Sequence, residues 1–329
     1  MIGTSVIRIP QFRRVDDMIL AVDARFDDLE QFSETVRDWD LDFKLLDNGG
    51  FSGQLRQLVS PDILVGYARF ERRLHQAGAT PEGFKTFVIP ASGCREFWWR
   101  GCQVTGSEIL AFPYGGELLS ASQPDFEVYL ISVRDSLLVR LAEELGLSGT
   151  RLLHDQAEVI PVEAEVLREL RFHSRSILGS AAGDQQTADA RVLAERLILL
   201  AGRCHNAGRR LQRKRDRALD HVVEYLRSKE MPTVELGVLC RIGQVSERTL
   251  EYAFKERYGI TPGEFAKRWR LNTVRRRLLK SVDGSTRVGE VATSCGFWHQ
   301  SQFAADYRRL FSERPSDTLR RGGVVTDRG

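Results

Sequence analysis

The chain is poor in cysteine and has no long apolar run, and each absence removes a class of protein. Its five cysteines, Cys94, Cys102, Cys204, Cys240 and Cys295, are odd in number and never spaced C-x-x-C. Neither a disulfide framework nor a zinc site is therefore expected, and a reducing compartment suits them best. The six histidines show no ligand spacing, so no metal is expected. No stretch of 18 uncharged apolar residues occurs, which argues against a membrane-spanning helix. The opening MIGTSVIRIPQFRRVDD lacks an apolar run followed by a small-residue cleavage site. Secretion is not expected, and the cytoplasm is the expected location.

What is present is ordinary in total and unusual in distribution. At 329 residues, 42% hydrophobic and 28% charged, the chain can bury two cores. Its formal charge of +3 hides a division. Residues 207–329 hold 26 Lys/Arg against 15 Asp/Glu, a net +11, whereas residues 1–206 hold 22 against 30, a net −8. A basic region joined to an acidic one is the electrostatic footprint of a module that meets a polyanion.

Four segments follow from the residue pattern. Residues 1–135 read as strands after a short helix near Asp28–Arg37. The runs GQLRQLVS, DILVGYARFERRL, FKTFVIPAS, REFWWRGCQVTG, EILAFPYGGELLSAS and DFEVYLISV are short and rich in β-branched and aromatic residues. Gly, Pro, Asn and Asp separate them, as turns require. A mostly antiparallel barrel or sandwich is expected. In DFEVYLISV, Phe126, Val128 and Leu130 share one face, yet the other face is also partly apolar. Residues 136–206 turn helical, with apolar residues three and four apart, and SAAGDQQTAD between two of these helices reads as a loop. The stripe Leu193, Leu197 and Leu200 suits a dimer interface or packing on the chain's own sheet. Residues 207–216 form a basic linker, and 217–329 a helical domain.

That last domain contains a weak internal repeat. Leu250, Phe254, Tyr258 and Pro262 recur 53 residues later as Phe303, Tyr307, Phe311 and Pro315. One helix earlier, Leu239–Cys240 pairs with Val291–Ala292 at an offset of 52. Helix, tight turn, helix, repeated, is the pattern of two helix-turn-helix units. Leu219, Val222, Val223 and Leu226 form one stripe of an introductory helix. Thr233 and Ser246 are suited to cap the two helices that follow, and Gly259 to end the second. Thr261-Pro262-Gly263-Glu264 reads as a capping box with proline at the first helical position. It opens a helix of about 19 residues, roughly 28 Å long. Two readers on one face of B-DNA sit about 34 Å apart, a spacing such a helix can hold.

The stretches VSERTLEYAFKERYGITPGEF, RLNTVRRRLL and VATSCGFWHQSQFAADYRRLFSERPS resemble the AraC/XylS family of bacterial transcription regulators over about Arg217–Arg320. The last stretch is most similar to the ethanolamine-operon regulator branch. The resemblance implies an α+β chain: a cupin-like N-terminal domain, then two helix-turn-helix units joined by a long helix. It also implies double-stranded DNA as partner, together with RNA polymerase, a possible homodimer and a small-molecule effector. In the branch named, that effector would be ethanolamine with a cobalamin.

Residue chemistry and the resemblance together give candidate DNA contacts. Arg248 can pair with guanine O6 and N7, Glu251 can accept from cytosine N4, and the resemblance adds Tyr252 as a reader. On the second recognition helix the outward residues are His299, Gln300, Ser301, Gln302 and Ala305. Gln can pair with adenine and Ser with several bases. Ala305 stands where many family members carry a basic residue, which points this helix toward phosphate contact. Lys255, Arg257, Arg275, Arg276, Arg308 and Arg309 are candidate phosphate partners, which set register rather than sequence. Trp298 suits either a sugar-phosphate edge or packing at the turn.

The N-terminal region offers Arg95, Trp98 and Trp99 as a weak effector-binding set, although adjacent strand residues point to opposite faces. Two other readings start from the same chain. Cys94 in IPASGCREF suggests a cysteine-dependent amidotransferase-like enzyme domain, yet REFWWRGCQVTG reads as strand where an elbow needs helix. A DNA-repair alkyl-acceptor domain needs four zinc-binding cysteines, and only Cys94 and Cys102 lie in that region. A partner-binding protein that has lost DNA affinity would fit Ala305 but not the +11 charge.

Overall fold

The computed structural model describes residues 18–36, 39–112, 117–149, 152, 159–180, 184–203, 213–228, 235–281 and 286–324. Twelve described strands pair antiparallel into two sheets. The larger is ordered β1-β3-β4-β11-β6-β9-β12: Ile19–Phe26, Gly53–Val59, Ile63–Phe70, Phe126–Arg134, Phe84–Pro90, Glu108–Ala111 and Val159–Pro161. The smaller is ordered β2-β5-β10-β7-β8: Asp40–Leu45, Leu74–Ala79, Glu117–Ala121, Phe97–Trp99 and Cys102–Val104. A short helix, α1 (Leu29–Thr35), lies between β1 and β2 in sequence. The expected antiparallel sandwich is what forms.

Side-chain alternation explains the apolar residues on both faces of β11. Phe126 and Val128 enter the core between the sheets, together with Phe70, Phe97 and Phe112. Tyr129, Ile131 and Val133 point the other way, into a second core made with α2 (Asp135–Glu144), α3 (Ala164–Gly179) and α4 (Asp184–Arg203). A sheet covered on both faces carries apolar residues on both. Leu193 and Leu197 lie fully buried in this second core, and Leu200 packs against it. The stripe considered for a dimer interface is therefore spent on the chain's own sheet.

Three local expectations need correction. DILVGYARFERRL is two strands, β4 and β5, which belong to different sheets. Strands β1 and β2 flank α1, where no strand was expected. Helix α4 begins inside SAAGDQQTAD at Asp184. There Gln186, buried, donates through Nε2 to the Ile177 carbonyl at 2.6 Å and so ties the new helix to the end of α3.

Among the described residues seven further helices follow: α5 (Lys214–Ser228), α6 (Leu236–Gly243), α7 (Glu247–Tyr258), α8 (Pro262–Leu279), α9 (Val288–Ser294), α10 (Gln300–Phe311) and α11 (Pro315–Val324). Leu219, Val222, Val223 and Leu226 form the buried face of α5 as expected. Ser246 caps α7 by accepting from Thr249 N at 3.3 Å, and Gly259 ends it at φ +69°. Thr261 caps α8 by accepting from Glu264 N at 3.2 Å, with Pro262 in the first turn. The Glu264 carboxylate turns instead to Lys267 and Arg268, so only half of the capping box closes. Thr233 and most of the basic linker lie outside the described residues.

The helical region sits on the smaller sheet. Trp98, Ala121 and Leu46 form one core with α5, α6, α7 and the start of α8. Strand β2 is an edge strand, whose free backbone groups invite pairing. Asn272 of α8 occupies that edge: its side chain accepts from Leu45 N at 2.9 Å and donates to Leu45 O at 3.0 Å.

Candidate nucleic-acid interface

Each recognition helix buries one face and exposes the other. On α7, Leu250, Ala253, Phe254 and Tyr258 are buried, while Glu247, Arg248, Tyr252 and Lys255 are exposed and Glu251 half-exposed. On α10, Phe303, Tyr307 and Leu310 are buried. His299, Gln300, Ser301, Gln302, Ala305, Arg308 and Arg309 are exposed. Helix α8, whose 18 residues span about 27 Å, joins the two units.

Left-handed residues recur at matching points of the repeat. Gln244 (φ +51°) and Gly296 (φ +80°) stand in the two turns, 52 residues apart. Gly259 (φ +69°) and Ser312 (φ +59°) end the two recognition helices, 53 apart. The sequence repeat is thus a repeat of backbone conformation.

The outward faces differ in chemistry. Tyr252 lies under the Arg215 guanidinium, 5.2 Å from its ring centroid, and Arg215 also reaches Glu256 at 2.6 Å. Residue 252 is thereby held beside a cation at the mouth of the first unit. On α10, Gln300 is partly engaged, donating to Thr293 Oγ1 and the Phe297 carbonyl, each at 3.2 Å. Arg309 lies 3.7 Å from Asp306, and Arg308 is exposed. Phe297, not Trp298, packs at the second turn, 5.2 Å from Phe303. Trp298 is 73% exposed and stands free beside the N-terminus of α10.

Three of the expected phosphate partners point elsewhere. Arg257 is buried between Asp220 and Asp216, its guanidinium over Trp98 at 5.4 Å. Arg275 is buried and ion-paired with Asp28 at 2.6 Å, Glu313 at 3.1 Å and Glu30. Arg276 pairs with Asp42. The physical reason is helix geometry: Arg268, Asn272, Arg275 and Arg276 lie at spacings of three and four, on the face that Asn272 docks onto β2. Burial would raise the Asp28 carboxyl, but Arg275, the Gln31 N–H and Arg321 hold it below its ordinary value. Asp42 is likewise lowered against its burial, by Lys44 and Arg276.

The N-terminal region also grips both recognition helices at their C-terminal ends, which the sequence did not suggest. Gly49 N and Gly50 N donate to the Arg309 and Leu310 carbonyls at 3.1 and 3.0 Å. Gln123 Nε2 donates to the Arg257 carbonyl at 3.3 Å. The last carbonyls of a helix lack intrahelical partners, so these loops complete the helices they hold. Gly50 must be glycine: φ is +77°, and a Cβ would meet the Phe311 carbonyl at 3.2 Å. The N-terminal turns of α7 and α10, where base readers sit in such units, stay exposed.

The weak effector set is divided by strand alternation. Trp98 faces the helical region, Arg95 is exposed, and only Trp99 lines the cavity between the sheets. Cys94 follows a turn at Ser92–Gly93 and is joined to β7 by two irregular residues, with no helix after it, and burial pushes its thiol up to about 11. A reactive cysteine needs the opposite shift. Among the described residues no helix is long and apolar enough to cross a membrane.

Residues 239–321 match the family model described as a helix-turn-helix domain. The chain is 31% identical over 132 residues to the XylDLEGF operon transcriptional activator 1 of Pseudomonas putida, covering 40% of this chain and 39% of that protein. It is 28% identical over 183 residues to the HTH-type transcriptional activator RhaS of Pectobacterium atrosepticum, covering 51% and 63%. A solved structure of a probable AraC family transcriptional regulator from Rhodopseudomonas palustris is 37% identical. It covers 32% of this chain and 96% of its own, with a TM-score of 0.30. The chain thus spans about two fifths of the first of these relatives.

Proposed function

We propose, from a C-terminal region that is an AraC/XylS-type helix-turn-helix domain, that the chain is a sequence-specific DNA-binding transcription regulator, an activator that answers to a small effector. The observation that carries this reading is the asymmetry of α7 and α10. Their C-terminal ends are held by the N-terminal region, while the N-terminal turns with Arg248, Ser301 and Gln302 are exposed. Two helix starts on one rigid frame suit successive major-groove segments of a duplex.

Base reading belongs to Arg248, Glu251 and Tyr252, with a smaller share for His299, Gln300, Ser301 and Gln302. Phosphate contact belongs to Lys255, Arg308 and Arg309. The cytoplasm, RNA polymerase and a homodimer are the setting and partners this reading expects. Self-association would use a surface other than the buried Leu193–Leu197 stripe. Ethanolamine with a cobalamin does not fit the cavity between the sheets. Among the described residues its lining has no carboxylate to meet an ammonium.

The test is fluorescence anisotropy of the full chain on the duplex upstream of its own gene and on random duplex, from about 50 to 200 mM salt, where counterion release is steep. A complex on the cognate duplex that survives the higher salt is expected. Equal, salt-sensitive binding to both would remove the claim of sequence specificity, and no binding to either would remove the function.

A further inference from the structure

We infer that the cavity between the two sheets takes a small, uncharged, mostly apolar molecule carrying one carbonyl-type acceptor, and that its entry loads α1 and β2 against the helical region. The inference deepens the effector-responsive reading and rests on it for its biological meaning. The binding itself does not depend on DNA.

The lining decides the ligand's charge. Phe32, Phe43, Val88, Phe112 and Leu118 are typical of it, and among the described residues no ionisable side chain contributes. A carboxylate or ammonium placed there would lose its hydration without gaining a partner, a heavy penalty.

Two orphan donors decide the ligand's polar group. The pairing register sets Gln76, Ser120 and Trp99 side by side across β5, β10 and β7. Ser120 Oγ is satisfied by donating to the Trp98 carbonyl at 2.9 Å. Among the described residues Trp99 Nε1 and Gln76 Nε2 are buried without a hydrogen-bond partner, and both residues line the cavity. Buried donors left unmade are costly. A ligand oxygen that accepts from one or both relieves that cost.

Size decides the coupling. A cavity of about 150 Å³ takes benzene, and this one is about 60 Å³, so a ring enters only if a wall yields. Strands β4, β11 and β6 are paired on both sides, whereas β2 is an edge strand beside α1. Phe32 and Val36 of the α1 segment and Leu41 and Phe43 of β2 line the cavity. Asp28, Glu30 and Asp42, in and beside the same two elements, hold Arg275 and Arg276 of α8. One wall therefore faces the ligand with its apolar residues and the inter-unit helix with its carboxylates. By linkage, whatever loosens the ion pairs must strengthen binding in the cavity.

The experiment is ligand-observed fluorine NMR on the full chain without DNA, using para-fluoroacetophenone, para-fluoroethylbenzene and para-fluorobenzoate. The three are alike in size and differ in acceptor and charge. The ketone is expected to bind about tenfold more tightly than the hydrocarbon, the worth of one hydrogen bond, and the benzoate not measurably. Trp99→Phe should bring the ketone down to the hydrocarbon's affinity while the hydrocarbon still binds; Gln76→Leu reads the same difference if the first variant does not fold. Arg276→Gln should tighten the ketone by roughly threefold or more, through the linkage above.

Benzoate binding as tight as the ketone, or no ketone binding by a folded chain, overturns the site. Equal ketone and hydrocarbon affinity overturns the donor argument, and unchanged affinity in Arg276→Gln overturns the loaded wall. None of these readouts involves DNA, so failure of the regulator reading in the anisotropy test is told apart from failure here.

Discussion

The two helix-turn-helix units share a backbone and differ in what they show to solvent. At the offset of 53, Arg248, Glu251, Tyr252 and Lys255 of α7 correspond to Ser301, Ala304, Ala305 and Arg308 of α10. The first face has a bidentate donor, a carboxylate and an aromatic ring. The second has a hydroxyl, two methyl groups and a single charge. Their supports differ as well. Unit one rests on a polar-rimmed apolar bed with His75, Trp98 and the buried Arg257. Unit two is held by backbone hydrogen bonds at Gly49 and Gly50, by the Arg321–Asp28 ion pair, and by Phe303, Tyr307 and Leu310 in the same core as Leu45 and Phe51. The difference supports the proposal that unit one reads sequence and unit two sets register, with both units held to one N-terminal frame.

The largest test removes each unit's buried aromatic in turn. Phe254→Ala and Phe303→Ala should each cost about 3–5 kcal/mol, the usual loss for a buried phenylalanine, measured by thermal or urea unfolding. Their effects on DNA should diverge. Phe254→Ala should abolish the preference for the cognate duplex over random duplex, whereas Phe303→Ala should weaken binding and keep the preference. Loss of preference in both variants alike would end the division of labour.

Base-edge contacts sharpen the same comparison on a smaller scale. Arg248→Ala should cost about 1–3 kcal/mol of binding, concentrated at one base position. Ser301→Ala should cost less than about 1 kcal/mol, the lower range for a neutral hydrogen bond. Arg308→Ala should weaken all duplexes equally and lower the salt slope by about 1. Anisotropy on single-base-substituted duplexes distinguishes the three patterns. Equal losses for Arg248→Ala across all duplexes would make that residue a phosphate partner instead.

What could be read from the sequence is what is local. Ser246, Gly259 and Pro262 mark helix ends because caps and breakers act within four residues of chain, and each stands where expected. The apolar stripes of α5, α7 and α10 were legible for the same reason. The arginines were not. Arg248 and Arg275 have the same side chain, and only the fold places three carboxylates around Arg275, two of them more than 240 residues earlier. Trp98 and Trp99 are a middle case. Alternation divided them, but which one faces the cavity depended on the register of β7 against β10. The acceptor-seeking pair, Trp99 and Gln76, left no sequence signal, because a missing partner exists only in three dimensions.

Acid should also separate the two units. His75 is fully buried under unit one, with ring centroids 5.3 Å from Trp269 and 6.0 Å from Tyr258. Burial, assisted by Lys44, Arg227 and Arg257 and opposed by Asp42, lowers its pKa to about 3. Between that value and the ordinary value near 6.5 the unfolded chain takes up a proton and the folded chain does not. Stability therefore falls as pH drops below about 6.5, by about 1.4 kcal/mol at pH 5.5. The lowered carboxyls, Asp28 and Asp42, lose their contributions only at lower pH, so this window belongs to His75. Denaturant melts at pH 7.5 and 5.5 should show the loss, and His75→Leu should flatten it. Amide exchange should locate the acid loosening around α7 and the start of α8, not at α10. A pH slope that persists in His75→Leu would refute the assignment.

The smallest expected effect tests whether the units share one backbone plan. Gln244 and Ser312 are non-glycine residues held at φ +51° and +59°, where side chains other than glycine pay for the Cβ. Their counterparts in the other unit, Gly296 and Gly259, are glycines. Each unit thus carries one glycine and one strained residue, at opposite ends. Gln244→Gly and Ser312→Gly should each relieve the strain, and part of the gain returns as added unfolded-chain entropy. A net stabilisation of about 0.5 kcal/mol is expected for each, read from midpoints at constant denaturant slope. The Ser312 Cβ would crowd only a Cβ added at Gly50, 3.4 Å away, and Gly50 carries none. Gly50 is thus free to remain glycine beside either residue, and the two variants should gain alike. A loss at Ser312 with a gain at Gln244 would mean that the Ser312 side chain helps hold unit two to the N-terminal frame, and that the two units are supported differently at their last turns too.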